Sequence, residues 1–458
     1  MMSSTGTAIL AQSADDQQAR QAVLSFDKTN GAIHIGLVKW RNQLLALVCL
    51  VVFAGLGVLY FQHWVVQKPF GIILFIGEGL APDRLAASRL YVGGAEARLT
   101  LDSMPHLALL RNYSNDFATP DQAAAATAIA TGVRVNNRLI AVDGSGKQLN
   151  TIIELAHEHG RATGLVTDAN ITGPTSAAFY THSADSGDVD SVAKGFVDGG
   201  KIDIAMGGGI DRFLPAEKGG VRQDGRDLLL EIRRNGFEVV RTRAELEAIP
   251  AWQKPKVFGI FSKAELAFTN QVEERSQQPS LSDMVRRAVE LLQYNTGGYL
   301  LVVDAGLMRK ATQENNAERT LMETVELDRA VAVARRYAGQ KSTIVVCGDV
   351  AIGGMHLNGF PFRTDSGIAL LGLNSAGQPW ITWAAGPNGA RSYGAAKIPN
   401  ESPNDQGQVE QLEPGAFYSK WALPTADDVV AFGSGHGTEA LKGSIDNTAV
   451  FEILRDAL

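Results

Sequence analysis

Short apolar runs alternate with longer amphipathic stretches through most of the chain after residue 69. The stretches at 283–295 and 319–338 have helical spacing, and each precedes an apolar run. The apolar runs have the length of buried strands and lie at 72–76, 162–167, 203–209, 299–303 and 343–347. This alternation is typical of a parallel sheet with helices on both faces. We therefore predict an α/β fold with a large, mostly parallel sheet.

An uncharged span, Leu44 to Phe61, precedes this alternation. It is long enough for a transmembrane helix and exceeds the core of a signal peptide. Because Lys39 and Arg41 lie before it, the positive-inside rule places the N-terminus in the cytoplasm. No small-residue cleavage site follows the span. We predict a cytoplasmic polar tail at 1–42, a transmembrane signal anchor at 43–64 and an extracytoplasmic domain at 69–458, which is periplasmic or extracellular.

Composition and charge narrow the classes of partner. The chain has 458 residues, of which 45% are hydrophobic and 20% charged, as in ordinary globular proteins. A net charge of −7 without any long Lys/Arg run argues against nucleic acid as a partner. The two cysteines are Cys49 and Cys347, and Cys49 lies in the apolar span, so we expect no disulfide between them.

Acidic residues follow three of the predicted strands. Glu78 comes after 72–76 and lies between two glycines, Asp304 follows 299–303, and Asp349 follows the fifth run and a glycine. The carboxyl ends of parallel strands meet at one edge of a sheet, so we expect the three carboxylates to lie close together. They would repel one another unless a cation lies among them. Any one acid alone could instead cap the next helix.

Ordered blocks along the chain resemble the alkaline phosphatase family. They include ILFIGEGLAPDRLAASRLY, DQAAAATAIATGVRVNN, LVTDANITGPTSAAFYTH, GYLLVVDAGLMRKATQ and IVVCGDVAIGGMHLNG, in the family's order. The resemblance covers most of 70–370 and returns at about 420–458, whereas 372–420 is divergent. It implies an alkaline phosphatase-like fold. It also implies a centre of two zinc ions and one magnesium around a serine nucleophile, with an arginine that clamps the phosphate.

Four residues match metal ligands of the family. Glu78 matches the bridging aspartate, Thr175 the hydroxyl ligand of the magnesium, Asp304 a glutamate of that site, and Asp349 the aspartate of the second zinc site. Both magnesium-site acids differ in length from the family's acids, but hard metals accept either carboxylate. The resemblance therefore implies at most one Mg²⁺ or other divalent ion at these four residues.

The residues that would carry the family's chemistry are replaced. The nucleophile position holds Gln122, whose amide cannot attack phosphorus, and the clamp position holds Ser186. Val350 stands where the second zinc site has a histidine, and valine cannot bind a metal. The first zinc site matches Arg309, Gln313 and Pro424, so we do not expect zinc there.

Arg309 stands at the position of an aspartate ligand, just beyond the strand that ends at Asp304. A guanidinium there is a permanent cation that can pair with Asp349 or Glu78. We predict that it takes the place of a metal ion. The alternative is an arginine on a loop that points to solvent.

Three functions are compatible with the sequence. The first is a membrane-anchored pseudophosphatase that acts as a binding or structural module. The second is an active phosphoric monoester hydrolase with a remodelled one-metal site and a metal-bound water as nucleophile. The third is an interaction protein that works through 372–420, where QPWITWAAGPNGARSYG holds two tryptophans and a tyrosine. The expected partners are the membrane, a small phosphorylated ligand or a protein, and a second copy of the chain, because the family often forms dimers.

Overall fold

The computed structural model describes residues 39–58, 70–339, 341–359, 379–389, 402–403, 409–410 and 413–458. The chain divides into two units, Met1–Gln67 and Lys68–Leu458. In the first unit the helix α1 runs over Lys39–Val58 and is long and apolar enough to cross a membrane. The predicted span Leu44 to Phe61 overlaps this helix, and its last three residues lie outside the described part.

The second unit contains all the strands that the structure describes. In chain order they are β1 (Gly71–Gly77), β2 (His106–Arg111), β3 (Ala162–Asn170), β4 (Ile204–Gly208), β5 (Phe237–Val240), β6 (Lys256–Ile260), β7 (Tyr299–Ala305), β8 (Thr343–Gly348), β9 (His356–Leu357), β10 (Ile381–Gly386), β11 (Ser402–Pro403), β12 (Val409–Glu410), β13 (Gly415–Tyr418), β14 (Val429–Ser434) and β15 (Lys442–Asp446). Ten of them form one sheet in the order β15-β2-β14-β8-β1-β7-β3-β4-β6-β5. Within this sheet β14 runs antiparallel to both its neighbours, and every other pairing is parallel. The predicted mostly parallel sheet is confirmed.

Helices cover both faces of the sheet. In chain order they are α2 (Pro82–Gly93), α3 (Gln122–Thr131), α4 (Ile152–Glu158), α5 (Pro174–Ala177), α6 (Val189–Gly199), α7 (Leu228–Arg234), α8 (Arg243–Ala248), α9 (Leu281–Leu292), α10 (Leu307–Gln313), α11 (Ala317–Tyr337) and α12 (Ala449–Asp456). Alternate residues of β1 enter two separate cores: Ile72, Leu74 and Ile76 pack with α3, α4 and α12, whereas Ile73 and Phe75 pack with α9 and α11. A strand buried on both faces explains why the run is continuously apolar.

The central strands end in register. Ile76 of β1 lies opposite Asp304 of β7, and Gly77 lies opposite Gly348 of β8. Glu78 and Asp349, which follow β1 and β8 directly, are therefore brought to the same edge as Asp304. This register places the three acids together, as the order of strands predicts.

The helix α3 begins beside this edge. Its N-cap residue, Asp121, accepts a hydrogen bond from the backbone N–H of Ala124, as a helix cap should. The helix ends at Gly132, whose φ of 73° suits a left-handed C-cap. Its alanines are almost completely buried, and their small size lets α3 pack closely against α5, which carries Thr175.

The two tryptophans of the divergent segment belong to the core, whereas Phe417 and Tyr418 of the same segment are 53% and 43% exposed. Trp380 is 8% exposed and Trp383 is 2% exposed. Trp383 packs with Ala87, Leu321 and Met355. The interaction surface considered for 372–420 therefore does not include these two tryptophans, and the tyrosine of QPWITWAAGPNGARSYG lies outside the described residues.

Candidate functional site

The three strand-end acids are buried together without any exposed carboxylate face. Glu78 and Asp304 are each 1% exposed, and Asp349 is fully buried. Besides burial, the charge of Glu78 contributes to raising the pKa of Asp304 and the pKa of Asp349. Such a cluster is costly unless protons, hydrogen bonds or cations compensate the charges.

Asp304 is held by hydroxyl groups. Its Oδ2 accepts hydrogen bonds from Ser176 Oγ at 2.7 Å and from Thr167 Oγ1 at 3.1 Å. Its Oδ1 is buried and has no hydrogen-bond partner among the described residues. Burial and, after it, the charge of Glu78 raise the pKa of Asp304 well above its ordinary value. The protonated acid is therefore favoured, and it lowers the charge of the cluster.

Asp349 is held by the backbone. Its Oδ1 accepts from the N–H of Gly79 at 3.0 Å and from that of Val350 at 2.6 Å. Its Oδ2 faces Thr175 Oγ1 at 3.4 Å. Burial and the nearby Glu78 raise the pKa of Asp349 to about 7. Thr175, which matches the hydroxyl ligand of a magnesium ion, thus donates to a carboxylate in this structure.

Glu78 forms an ion pair with Arg309. The guanidinium of Arg309 donates through Nε to Glu78 Oε2, and its Nη1 donates to Gln313 Oε1 at 3.3 Å. The side chain of Arg309 is 20% exposed and that of Glu78 is 2% exposed, so the pair is largely removed from water. The charge of Glu78 raises the pKa of Arg309, which keeps its cation. This confirms that Arg309 pairs with Glu78, and the solvent-facing alternative is wrong.

A second buried guanidinium, Arg84, escaped the sequence analysis. Arg84 is 2% exposed; its Nη1 donates to the backbone oxygen of Glu78 at 3.2 Å and its Nη2 to Thr312 Oγ1 at 2.9 Å. Burial lowers the pKa of Arg84 to about 10, and the charge of Asp349 opposes that change. Arg84 lies in the first turn of α2, where the helix dipole disfavours a cation. An arginine at such a position is the sequence signal that could have indicated a specific buried partner.

These residues do not fit the family's metal centre. The described residues contain no group of three or more His, Cys, Asp or Glu side chains that could hold a metal ion. Glu78 is paired with a guanidinium, and Val350 lies fully buried against Ala125, Ile352 and Ala422. Pro424 forms an isolated β-bridge with Ile352. A single Mg²⁺ at Glu78, Thr175, Asp304 and Asp349 stays a prediction, and it would require Arg309 to leave Glu78.

The nucleophile and clamp positions lie on either side of Arg138. Gln122 is the first residue of α3 and is partly buried. The preceding Asp121 accepts from the N–H of Arg138 at 2.8 Å, and the N–H of Ser186 donates to the carbonyl of Arg138 at 2.8 Å. The structure therefore brings the start of α3 and the Ser186 loop together. The amide of Gln122 cannot act as the family's nucleophile, and the single hydroxyl of Ser186 cannot replace the arginine that clamps the phosphate.

Arg138 itself was also missed by sequence reasoning. Its φ of 73° lies in the left-handed region, which is uncommon for a residue other than glycine. Its guanidinium pairs with Asp185 at 2.8 Å and its side chain is 68% exposed. A cation therefore remains near the clamp position, although a carboxylate already neutralises it.

A further buried acid, Asp168, has the role of a cap. Asp168 lies inside β3, and its Oδ1 accepts from the backbone N–H of Leu307, the first residue of α10. Asp168 thus caps a helix that follows β7, and not the next helix along the chain after β3. Asp168 thereby positions the helix that carries Arg309 and Gln313.

A buried glutamate on α11 makes stability depend on pH. Glu323 is 2% exposed and accepts from the N–H and the hydroxyl of Thr269, and burial raises its pKa from 4.5 to about 7. Between these values the folded state binds more protons than the unfolded state, so stability is highest below the ordinary pKa and falls as pH rises. We expect Glu323→Gln to reduce this fall by up to a few kcal/mol, since each pKa unit corresponds to about 1.4 kcal/mol.

Urea unfolding at about pH 5 and about pH 8 measures this effect. The control is Glu452→Gln on α12, because Glu452 is exposed. If Glu323→Gln showed the same loss of stability between the two pH values as the unchanged protein, the role given to Glu323 would be wrong.

Comparisons with known proteins identify the scaffold. The family model for alkaline phosphatase matches residues 71–458. The chain is 28% identical over 360 residues to the tissue-nonspecific alkaline phosphatase of Gallus gallus, with 68% of each chain covered. It is 26% identical over 420 residues to alkaline phosphatase 4 of Bacillus subtilis (strain 168), with 84% of this chain and 88% of the relative covered.

The fold agrees with that of solved structures. The alkaline phosphatase of Thermus thermophilus superposes with a TM-score of 0.67 at 22% identity, over 86% of this chain and 92% of that chain. The alkaline phosphatase of a psychrophilic Shewanella species gives a TM-score of 0.66 over 84% of this chain and 99% of that chain. With the family model matched from β1 to the end of the chain, the protein belongs to the alkaline phosphatase family.

Proposed function

We propose that this protein is a membrane-anchored pseudophosphatase, in which the family's scaffold acts as a binding or structural module. The observation that carries the proposal is the ion pair between Arg309 and Glu78. A guanidinium stands at a position where the family has a metal-binding aspartate, and it engages the carboxylate that would bridge two metal sites. The guanidinium of Arg309 thus supplies the positive charge that a metal ion would supply there.

The loss of the nucleophile supports the same conclusion independently. Gln122 offers no group that can form a phosphoryl-enzyme intermediate. Ser186 supplies no charge for the transferred phosphoryl group, whose stabilisation is usually a large contribution to catalysis. Removing the nucleophile of a hydrolase costs on the order of 10⁶ in rate where it has been measured in a serine protease. Several independent losses in one site fit a scaffold retained for something other than turnover.

An assay with metal analysis tests this function. We expect the purified full-length protein, supplied with Zn²⁺ and Mg²⁺, to hydrolyse a generic phosphomonoester no faster than the buffer does. We also expect elemental analysis to find no stoichiometric zinc. Turnover that Glu78→Ala or Asp304→Ala abolishes, while Glu452→Ala on the exposed face of α12 preserves it, would refute the proposal and support the one-metal hydrolase.

The orientation that we propose places the large unit outside the cytoplasm. Lys39 and Arg41 lie at the start of α1, which favours a cytoplasmic N-terminus. A reporter that is active only after export, fused behind Leu458, should be active in intact cells. A fusion of the same reporter before Met1 should be silent, and the reverse pattern would contradict the orientation.

A small phosphorylated ligand is the partner that we propose first for this module. The N-terminus of α3 carries the positive end of a helix dipole, and Arg138 lies beside it. A protein partner and a homodimer remain further proposals, motivated by the scaffold alone. Competition of inorganic phosphate with a phosphorylated ligand in an equilibrium binding assay tests the first of them.

A further inference from the structure

A cavity of about 200 Å³ lies beside the acid cluster but does not belong to it. It is lined by the start of α2, by the loop that follows β8 and by the segment that precedes β14. None of the four predicted metal ligands lines it, and neither Gln122 nor Ser186 does. Liquid water takes about 30 Å³ per molecule, so the cavity has room for about half a dozen waters or one small organic molecule.

The inner end of the cavity is suited to an anionic group. Arg84 lines it, and this side chain is 2% exposed. The two terminal nitrogens of Arg84 are engaged by Glu78 O and Thr312 Oγ1, whereas Nε is buried without a hydrogen-bond partner among the described residues. Ala81 is the N-cap of α2 and has no side chain that can accept from the first turn. No side chain caps the first turn of this 12-residue helix, whose positive end faces the cavity beside the acidic Asp83.

The mouth of the cavity has the opposite charge. Asp83, Asp427 and Asp428 line it together with His356. The side chain of Asp83 is 57% exposed, and the ring of His356 lies 3.0 Å from it with 64% exposure. Asp427 is exposed and accepts a hydrogen bond from Thr425 Oγ1 at 2.7 Å. Three carboxylates stand beside a single imidazole at this mouth, so a positively charged ligand group is favoured there.

We propose that this cavity binds a small zwitterion that carries a carboxylate and an ammonium group, as an α-amino acid does. The carboxylate lies towards Arg84 and the start of α2, and the ammonium lies among the aspartates of the mouth. The wall between the two ends is apolar, because Leu109, Ile352 and Met355 line it, and it suits a short aliphatic side chain. The inference does not rest on the pseudophosphatase proposal, since it uses no residue of the nucleophile or metal positions.

Calorimetric titration of the full-length protein in detergent with L-alanine tests the inference. Acetate and methylamine serve as single-ended probes, since each carries one of the two charges. We expect L-alanine to bind at least about tenfold more tightly than either, because only the zwitterion satisfies both ends. No saturable binding of L-alanine, or equal affinity for one of the single-ended probes, would overturn the proposal.

Substitutions at the mouth identify the cavity as the place of binding. The double variant Asp427→Asn, Asp428→Asn should weaken L-alanine binding about tenfold or more and leave the affinity for acetate unchanged. Asp198→Asn is the matched control, because Asp198 lies on α6, does not line the cavity, and has a side chain that is 55% exposed. Asp427 and Asp198 are exposed and Asp428 is partly exposed, so unchanged thermal unfolding of the variants is expected. Equal binding by the double variant and the control would place the ligand elsewhere and refute the assignment.

Discussion

Replacing Arg309 with alanine should lower the free energy of unfolding by about 3 kcal/mol, which is in the range for breaking a buried ion pair. The substitution leaves Glu78 buried without its cation, next to Asp304 and Asp349. Added Mg²⁺ or Zn²⁺ should then recover part of the loss, because a divalent ion can enter where the guanidinium was. Chemical denaturation of the full-length protein, with and without each metal, measures both effects.

Lys310 provides a matched control on the same helix. Its ammonium pairs with Glu265 at 2.9 Å, but its side chain is 39% exposed. An exposed pair of this kind contributes about 0–1 kcal/mol, so Lys310→Ala should change stability little. Equal stability of Arg309→Ala and the unchanged protein would show that Arg309 does not compensate the acids. A loss of stability that neither metal recovers would still support the ion pair, and it would show that neither ion can replace the guanidinium.

Restoring the hydroxyl alone should not restore catalysis. We expect Gln122→Ser to leave phosphomonoester hydrolysis at the background rate, several orders of magnitude below the acceleration of about 10⁶ or more that is typical of enzymes. A serine hydroxyl is a weak nucleophile until a base or metal activates it. The residue that would hold such a metal is replaced by Val350, which is fully buried against Ala125 and Ile352.

The rate is measured with a generic monoester under saturating Zn²⁺ and Mg²⁺. Gln122→Ala is the control for folding and for contaminating phosphatases, because it lacks any hydroxyl. Robust turnover by Gln122→Ser above that control would mean that a functional metal centre survives. The pseudophosphatase proposal would then be wrong, because it requires that the metal positions have lost their function.

Local patterns account for most of the fold. The runs at 72–76 and 343–347 became β1 and β8 with small changes at their ends, because a continuously apolar segment between helices has few other ways to bury both faces. Asp304 lies within its strand and not after it, since the strand continues while its backbone finds partners on both sides. These differences are small and do not change which edge the acids occupy.

The partners of the charged side chains depended on distant parts of the chain. The predicted pairing of Arg309 left Asp349 and Glu78 as equal choices, and the structure selects Glu78 because backbone N–H groups already satisfy Asp349. Arg84 and Arg138 were not foreseen. Their partners, Thr312 and Asp185, lie far along the sequence. They are brought near by the packing of α2 and α10 against α11 and by the β-bridge between Ile140 and Ser183.

By itself the sequence determined the apolar span near the N-terminus, the strand–helix alternation, the three strand-end acids and the absence of a nucleophile at Gln122. Each of these follows from residue type and spacing alone, so no knowledge of distant contacts is needed to predict it. Only the tertiary structure decided that a guanidinium lies against Glu78, that Val350 is sealed in an apolar cluster, and that Arg84 lines a separate cavity. The physical reason is that compensation of buried charge depends on which groups meet in space, and parallel strands joined by helices bring together residues that are remote in sequence.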